Sequence, residues 1–410
     1  MSNKKDKKEA GLVFIFITLL VDVIGFGIII PVIPTFISRL LNSDLSTAAT
    51  WGGWLLFTYA AVQFFAAPII GGLSDQYGRR PVLLASLLAF GFDFILSGFA
   101  PNITWLFVGR FIAGITGASF STANAYIADI TPPEKRAQNF GMVGAAFGLG
   151  FIIGPAIGGF LGQYGERVPF FAAAGLAFCN FLYGYFILPE SLAKENRRPF
   201  DIKRANPFSS IKNLSRYPVI LGLVGSLVCI YIAGNANQST WGYITMEKFK
   251  WDAKMVGLSL GWVGFTVGMV QGVLSRYIIP KLGQTNAIYV GLFIYTFAFT
   301  LFGFATEGWM MFVFMTIFAF GGIAGPALQS IISNQVPPNE QGELQGTLTS
   351  LVSLTSIIGP LLMTNLFAYF TKPNTTIHFP GAPFLMGAAL SLVSFFFAYN
   401  TLSKLKKSDA

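Results

Sequence analysis

Twelve long apolar stretches dominate this chain of 410 residues. A helix needs roughly 20 apolar residues to cross the hydrocarbon core of a membrane, and each stretch is about that long. The stretches fall near 11–38, 51–73, 81–100, 103–128, 137–162, 168–189, 217–243, 253–280, 285–305, 308–334, 341–370 and 381–403. They lack the alternation of polar and apolar residues that membrane strands require. The pattern therefore predicts an all-α integral membrane protein with twelve transmembrane helices.

Charged residues make up only 11% of the chain, whereas they make up about 25% of an ordinary soluble domain. This shortage argues against a soluble enzyme, a disordered chain and a protein that binds nucleic acid. His378 is the only histidine, and Cys179 and Cys229 are the only cysteines. Such a set offers no metal cluster and no histidine-based catalysis. We therefore predict that the chain is not an enzyme and has no cofactor, with the lipid bilayer and a small molecule as its partners.

The lysines and arginines indicate the orientation. With the N-terminus in the cytoplasm, twenty of the 27 fall in cytoplasmic loops and termini, six fall outside and Arg110 lies within a helix. Cytoplasmic loops of membrane proteins are enriched in these residues. Both termini are therefore predicted to be cytoplasmic.

An internal repeat divides the chain. TPPEKRAQNFG at 131–141 resembles VPPNEQGELQG at 336–346, IIGPAI at 152–157 resembles IIGPLL at 357–362, and the turn at Gly78 resembles that at Gly283, always 205 residues apart. We predict two six-helix bundles, 1–189 and 217–410, joined by a cytoplasmic linker at 190–216. The linker is interpreted as a solvated segment whose basic face lies toward lipid headgroups. Because one chain supplies both halves, a monomer is expected.

The loop GGLSDQYGRRPVLL at 71–84 concentrates glycine and charge. Gly71 and Gly78 are expected to allow close packing and a tight turn. Asp75 stands beside Arg79 and Arg80, and Asp129 at the inner end of helix 4 is a candidate partner. The alternative is a plain positive loop, which the spacing does not favour.

Helix 4 carries an arginine inside an apolar run. Small and polar residues follow it at helical spacing, forming one stripe: Arg110, Gly114, Gly117, Ser121 and Asn124. A buried arginine is costly in a membrane and normally faces a cavity with a partner. The alternative is that its side chain reaches back to the membrane interface.

Two acids lie within predicted helices, Asp22 in helix 1 and Asp93 in helix 3. Loss of water penalises a charged carboxylate, so such a group can bind and release a proton. Arg110 would oppose that effect, and competition between the two provides a coupling device. Two alternatives stay open: a helix break beside Asp22 near Gly25 and Gly27, and a static ion pair between Asp93 and Arg110.

Uncharged polar residues also recur on helix faces. The candidates for substrate binding are Tyr59 and Gln63 in helix 2, Asn124 in helix 4, Tyr231, Asn235 and Gln238 in helix 7, Gln271 in helix 8 and Gln329 in helix 10. Such side chains can hydrogen-bond a polar aromatic ligand. The alternative is that they join helices to one another.

Helix 5 contains a glycine every fourth residue, at Gly150, Gly154, Gly158 and Gly162, with Pro155 and Gly159 among them. A ridge of this kind lets another helix approach closely.

These segments together resemble the tetracycline–proton antiporters of the major facilitator superfamily, in its twelve-helix drug-exporter branch. The resemblance rests on VDVIGFGIIIPVIP, TYAAVQFFAAPIIGGLSDQYGRRPVLL, FVGRFIAGITGASFSTANAYIAD, GAAFGLGFIIGPAIGGF and GPALQSIISNQVPPNEQGELQG. It implies proton-coupled export of amphipathic drug-like compounds by alternating access, with tetracyclines first, and hence antibiotic resistance. It also implies the inner membrane of a bacterium.

The resemblance assigns roles to single residues. It gives a coupling or binding role to Asp22, Gln63, Asp93, Arg110 and Gln271, and a role in a cytoplasmic gate to Asp75, Arg79, Arg80 and Asp129. It also makes GFIIGPAIGG, with Gly150, Gly154, Pro155, Gly158 and Gly159 in and around it, similar to the signature of proton-coupled antiporters.

The sequence departs from that family in its second half. Family members carry an acid in helix 9 and a histidine in helix 8, and those places fall near Tyr295 and Val267 here. Helices 7 to 12 are predicted to hold no acid within the membrane, so proton coupling must rest on the first half. A cationic tetracycline–magnesium complex favours an acidic site, so another amphipathic substrate is an alternative. A facilitator or proton symporter for a small nutrient is the alternative function.

Overall fold

The computed structural model describes residues 2–117, 119–131, 136–200, 218–336, 341–373 and 375–408. Within these ranges all regular secondary structure is helical. The helices are α1 Ser2–Ile29, α2 Ile33–Leu41, α3 Leu45–Tyr77, α4 Arg79–Gly98, α5 Ile103–Gly117, α6 Ser119–Ile130, α7 Arg136–Gly162, α8 Val168–Ile187, α9 Pro218–Phe249, α10 Ala253–Met269, α11 Ser275–Leu282, α12 Gln284–Phe304, α13 Gly308–Gly321, α14 Ala324–Asn334, α15 Gln341–Thr371 and α16 Ala382–Ser408.

These helices form twelve spans that are long and apolar enough to cross a membrane. The prediction of an all-α protein with twelve membrane helices is therefore confirmed. Helix ends differ by several residues from the apolar runs. The largest consequence is in α9, which continues to Phe249 rather than stopping near 243. Glu247 thus lies in its last turn, at the end of the span Ile220–Phe249. The expectation that helices 7 to 12 hold no acid within the membrane stays a prediction.

Three spans, the first, the eighth and the tenth, are each built from two helices. The first is broken by a short 3-10 turn, Ile30–Val32, where Pro31 and Pro34 lack the N–H that a continuous helix needs. The tenth passes from α13 to α14 at Gly322. In the eighth, a π-helical segment, Val270–Leu274, separates α10 from α11.

The backbone repeats at the spacing that the sequence indicates. Gly78 and Gly283, which are 205 residues apart, both have a positive φ, at 104° and 75°. Pro155 and Pro360, also 205 apart, both lie inside helices. The duplication therefore persists in a glycine turn and a helix proline as well as in sequence.

The chain groups into two compact units. The N-terminal unit contains Met1–Asn42, Thr58–Pro207 and Ala253–Gly261, and the C-terminal unit contains Ser43–Phe57, Phe208–Asp252 and Trp262–Ala410. Each unit thus includes one short segment from the other half of the sequence, which the simple division at 190–216 does not anticipate. That division stays a prediction, and its residues 201–216 lie outside the described ranges.

The two units have different interiors. In the N-terminal unit, α1 packs against α7 and α8. In the C-terminal unit, α9 packs against α15 and α16, and Trp241 stacks edge-on against Phe302. Phe299 and Phe302 also contact Phe318 in that aromatic cluster.

Candidate functional site

A buried ion pair joins α4 and α5 in the N-terminal unit. The Arg110 guanidinium donates from Nη2 to Oδ2 of Asp93 at 3.3 Å. The Asp93 side chain is fully buried, and Ser97 donates its hydroxyl to the other carboxylate oxygen at 3.4 Å. Gly109 provides the space, since an added Cβ would lie 2.6 Å from that oxygen. The alternative in which Arg110 reaches to the interface is wrong, because its partner lies inside the bundle.

The stripe on α5 packs against α3 through its small residues. A Cβ at Gly114 would lie 2.8 Å from the Tyr59 carbonyl oxygen, and one at Gly117 would lie 2.6 Å from the Tyr59 hydroxyl. Gln63 donates from Nε2 to that hydroxyl at 3.2 Å. Tyr59 is also within electrostatic range of Arg110, Asp93 and Asp22. The structure therefore brings together the predicted coupling residues and the predicted binding residues of helix 2.

Asp22 lies on α1, half-buried. Asn180 of α8 donates from Nδ2 to Asp22 Oδ1 at 3.4 Å. Among the described side chains, no lysine or arginine forms an ion pair with Asp22. The helix α1 continues past Gly25 and Gly27 to Ile29, so the alternative of a helix break beside Asp22 is wrong.

The glycine ridge of α7 holds α1 in place. A Cβ at Gly150 would lie 2.6 Å from Val23, the residue that follows Asp22, and one at Gly154 would lie 2.8 Å from the Ile24 carbonyl oxygen. At Gly158 it would overlap the Ile28 carbonyl oxygen. A Cβ at Gly159 would instead face the first turn of α10, at Ala253 and Gly257. The ridge therefore holds α1, the helix that carries Asp22, close to α7. Pro155 belongs to the same contact, because it lies against Gly27 of α1.

The charged loop forms a network around Arg79. Its guanidinium contacts Asp75 at 2.5 Å and Asp129 of α6 at 3.2 Å, and it donates to the Ser74 hydroxyl at 2.6 Å. Three of the predicted gate residues are thus in direct contact. Arg80 is not part of this network, since it donates to the Tyr185 carbonyl oxygen of α8 at 2.7 Å.

The turn in this loop is at the expected glycine, but the close packing is at a different one. Gly78 does form the turn, with φ 104°. Gly71 has only the Ser121 hydroxyl nearby, 3.8 Å from an added Cβ, so close packing is not its role. That role belongs to Gly72, where the Phe200 ring lies 2.8 Å from the position of a Cβ.

Residues just after α8 bind this loop, which the sequence analysis did not anticipate. Glu190 accepts hydrogen bonds from the backbone N–H of Arg79 at 2.9 Å and of Arg80 at 3.3 Å. Ser191 donates its hydroxyl to Asp129 at 2.9 Å. The carboxylate of Glu190 thereby caps the first turn of α4, where N–H groups lack partners within the helix.

The same segment is attached again a few residues later. The Arg198 N–H donates to the Asp75 carbonyl oxygen at 3.1 Å, and the Phe200 N–H donates to Gln76 Oε1 at 3.2 Å. The first residues of the predicted linker are therefore attached to the loop at 190–191 and at 198–200, while residues 193–196 between these points are exposed.

The predicted binding residues of the C-terminal unit are dispersed. Gln329 donates to the Tyr231 hydroxyl at 3.1 Å, and both residues line a small open cleft together with Gln345 and Thr349. Asn235 is buried against Gly359 and donates to the carbonyl oxygen of Tyr231 in its own helix. This placement agrees with the alternative that such residues join helices.

Three other predicted binding residues are exposed: Gln238, Gln271 and Asn124, the last in the N-terminal unit. Gln271 lies in the π-helical segment, with its amide nitrogen 2.7 Å from the position of a Cβ on Gly322. Such segments are often found at functional sites.

Near the places where the resemblance leads us to expect an acid and a histidine, the side chains are aromatic or apolar. Tyr295 packs against Phe318 with ring centroids 4.8 Å apart, and Val267 packs against the main apolar cluster of the C-terminal unit. Glu247 faces His378, whose Nε2 lies 3.5 Å from its carboxylate. Within the described ranges, no three His, Cys, Asp or Glu residues are grouped closely enough to hold a metal ion.

Comparison with known proteins agrees with this geometry. The sequence profile of the Major Facilitator Superfamily matches residues 15–360. "Tetracycline resistance protein, class C" of Escherichia coli is 40% identical over 387 residues, which cover 94% of this chain and 96% of the relative. The class E protein of Escherichia coli is 39% identical over 402 residues, 97% of each chain.

Solved structures show the same fold. The crystal structure of the human organic anion transporter MFSD10 aligns with a TM-score of 0.69 at 24% identity, covering 95% of this chain and 99% of that one. At this level of identity the likeness concerns the fold alone. Together with the sequence relatives and the twelve membrane spans, it identifies a transporter and not an enzyme. The chain belongs to the Major Facilitator Superfamily, within its family of tetracycline resistance proteins.

Proposed function

We propose that this protein exports tetracyclines across the bacterial inner membrane in exchange for protons. The observation that carries the proposal is the cluster of Asp22, Asp93 and Arg110 around Tyr59 inside the membrane-spanning helices. A transporter that moved a neutral solute passively would have no use for acids at this depth, because ionisable groups there are costly. The likeness to the tetracycline resistance proteins supplies the substrate.

The residues have distinct roles in this proposal. Asp22 has no cationic partner among the described residues, so it takes up and releases the transported proton. Asp93 is neutralised by Arg110 at 3.3 Å, and it responds when substrate competes for the arginine. Tyr59 and Gln63 bind the polar edge of the substrate in the N-terminal unit. Gln271 and Gln329 are the proposed binding residues of the C-terminal unit.

The cytoplasmic ends of the helices have a separate role in this proposal. Arg79 bridges Asp75 and Asp129 and acts as a latch that must open when the transporter changes its conformation. In this proposal both termini lie in the cytoplasm, because twenty lysines and arginines then fall on that side. One chain contains both repeats, so the monomer is the transporting unit, and the coupling ion is the proton with no other cofactor.

Everted membrane vesicles with an acidic lumen test the proposal. Addition of tetracycline with magnesium should release protons from the lumen, and vesicles without the protein should show no release. Proton movement in the same direction as substrate would contradict antiport in favour of symport. Proton release with another amphipathic drug, and none with tetracycline, would support proton exchange but identify a different substrate.

A further inference from the structure

Asn180 connects α8 with the acid of α1. Its amide is only 3% exposed and lies within the membrane-spanning part of the helix. Its Nδ2 reaches the Thr18 carbonyl oxygen at 3.2 Å and Asp22 Oδ1 at 3.4 Å, and its Oδ1 accepts from the Thr18 hydroxyl at 3.3 Å. All of these hydrogen bonds reach one turn of α1. Unpaired polar groups are costly in a bundle interior, so these bonds hold the buried amide of Asn180 at that turn.

The orientation of this amide is fixed by its surroundings. The Thr18 carbonyl oxygen can only accept a hydrogen bond, so the NH₂ end of Asn180 must face it. The same NH₂ end therefore also faces Asp22. A flipped amide would bring two oxygen atoms together at the Thr18 carbonyl. Asn180 consequently presents a donor to the carboxyl group at all times.

A permanent donor favours one protonation state of the acid. A hydrogen bond from an amide is stronger to a carboxylate than to a neutral carboxyl group. Tyr59 is within electrostatic range of Asp22, and it is also within range of Asp93 and Arg110. The described side chains of α7, which packs on α1, include no ionisable residue. No other hydrogen bond to the Asp22 carboxylate is found among the described residues, so Asn180 is its direct partner.

We propose that Asn180 is a positioning residue for proton coupling: it holds the Asp22 carboxylate against α8 and adjusts how readily that group gives up its proton. The role rests on the proposed function, in which Asp22 carries the transported proton. It adds a residue on α8 to a site otherwise formed by α1, α3, α4 and α5.

Infrared titration of the purified protein in lipid tests this role. The carboxyl band of protonated Asp22 is assigned by its loss in Asp22→Asn. In Asn180→Leu, which removes the donor at similar volume, the midpoint of that band should move by about one pH unit toward higher pH, because a hydrogen bond to a charged group is of that strength. The matched control is Thr18→Val, which removes the hydroxyl but leaves the bond from Asn180 to Asp22.

The outcomes separate this role from simple packing. A shift in Asn180→Leu with little shift in Thr18→Val supports the inference. An unchanged midpoint in Asn180→Leu, or an equal shift in both variants, overturns it. If Asn180→Leu does not fold, Asn180→Ser serves in its place. Proton release by tetracycline in wild-type vesicles is measured separately, so its absence would refute the proposed function without affecting the titration result.

Discussion

The two halves of the repeat keep the same backbone but differ in their interior chemistry. Asp93 and Arg110 form a buried ion pair in the N-terminal unit. The residues 205 positions later are Ala298 and Met315, which are equally buried. A glycine turn and a helix proline are therefore retained in both copies, whereas the buried pair Asp93 and Arg110 occurs in one. This difference is the basis for proposing that the N-terminal unit carries the proton chemistry.

Helix packing differs between the copies in the same way. Gly150, Gly154 and Gly158 bring α7 against the backbone of α1. Their counterparts in α15 are Thr355, Gly359 and Met363, and Met363 is fully buried. The two helix backbones approach closely in the N-terminal unit, whereas the corresponding helices of the C-terminal unit pack through a side chain at Met363. The contact with the helix that carries Asp22 is thus the tighter one.

Breaking the ion pair should have the largest effect. Arg110→Met introduces the residue found at the equivalent position of the second copy and leaves the Asp93 carboxylate buried without its partner. We expect a loss of about 3–5 kcal/mol in the free energy of unfolding, measured by denaturant unfolding in detergent.

The double variant Asp93→Ala with Arg110→Met is the control, since it copies both residues of the C-terminal unit. It should regain most of the stability, because neither charge remains. It should not regain proton-driven transport. A double variant as unstable as the single one would show that the two interiors are not interchangeable.

Gly158→Met tests the difference in packing. Its side chain would overlap the Ile28 backbone, and overpacking of this kind costs about 1–3 kcal/mol or more. The matched control is Gly148→Ala in the same helix, where an added Cβ has nothing within 4 Å. Thermal unfolding should show a clear decrease for the first variant and almost none for the second. Similar values for both would contradict the tight contact between α1 and α7.

Gly78→Ala and Gly283→Ala compare the two turns directly. Both positions have a positive φ, which costs about 1–3 kcal/mol for a residue with a side chain. An added Cβ would also overlap the Glu190 carboxylate at Gly78, whereas nothing lies within 4 Å at Gly283. Thermal unfolding of the two variants should therefore show the greater loss for Gly78→Ala. The reverse order would refute the docking of Glu190.

Glu190→Ala should have the smallest effect. It removes the two hydrogen bonds to the first turn of α4, and loss of a helix cap costs about 1 kcal/mol. Gln284→Ala is the control in the C-terminal unit, where Gln284 follows the equivalent turn and donates to Ser330 from an exposed position. The change in melting temperature should be greater for Glu190→Ala, and equal changes would count against the cap.

Much of this fold follows from periodicity and repetition in the sequence. The twelve apolar runs predict the spans because length alone decides whether a helix can cross a membrane. A buried arginine needs a partner, which made Asp93 a candidate for Arg110 before its position was known. Asn180 was overlooked although a lone asparagine in an apolar helix is a visible signal. Glu190 and Gly72 could not be found in this way, because their contacts join segments that only the fold brings together.

The most direct test of the central claim compares one acid from each unit. Asp22→Asn and Glu247→Gln each remove one carboxylate from a membrane-spanning helix, and proton release from everted vesicles is recorded after tetracycline and magnesium are added. If coupling belongs to the N-terminal unit, Asp22→Asn abolishes the release. Glu247→Gln, in the last turn of α9 beside His378, retains it. Retained release in Asp22→Asn, or its loss in Glu247→Gln, would contradict the account.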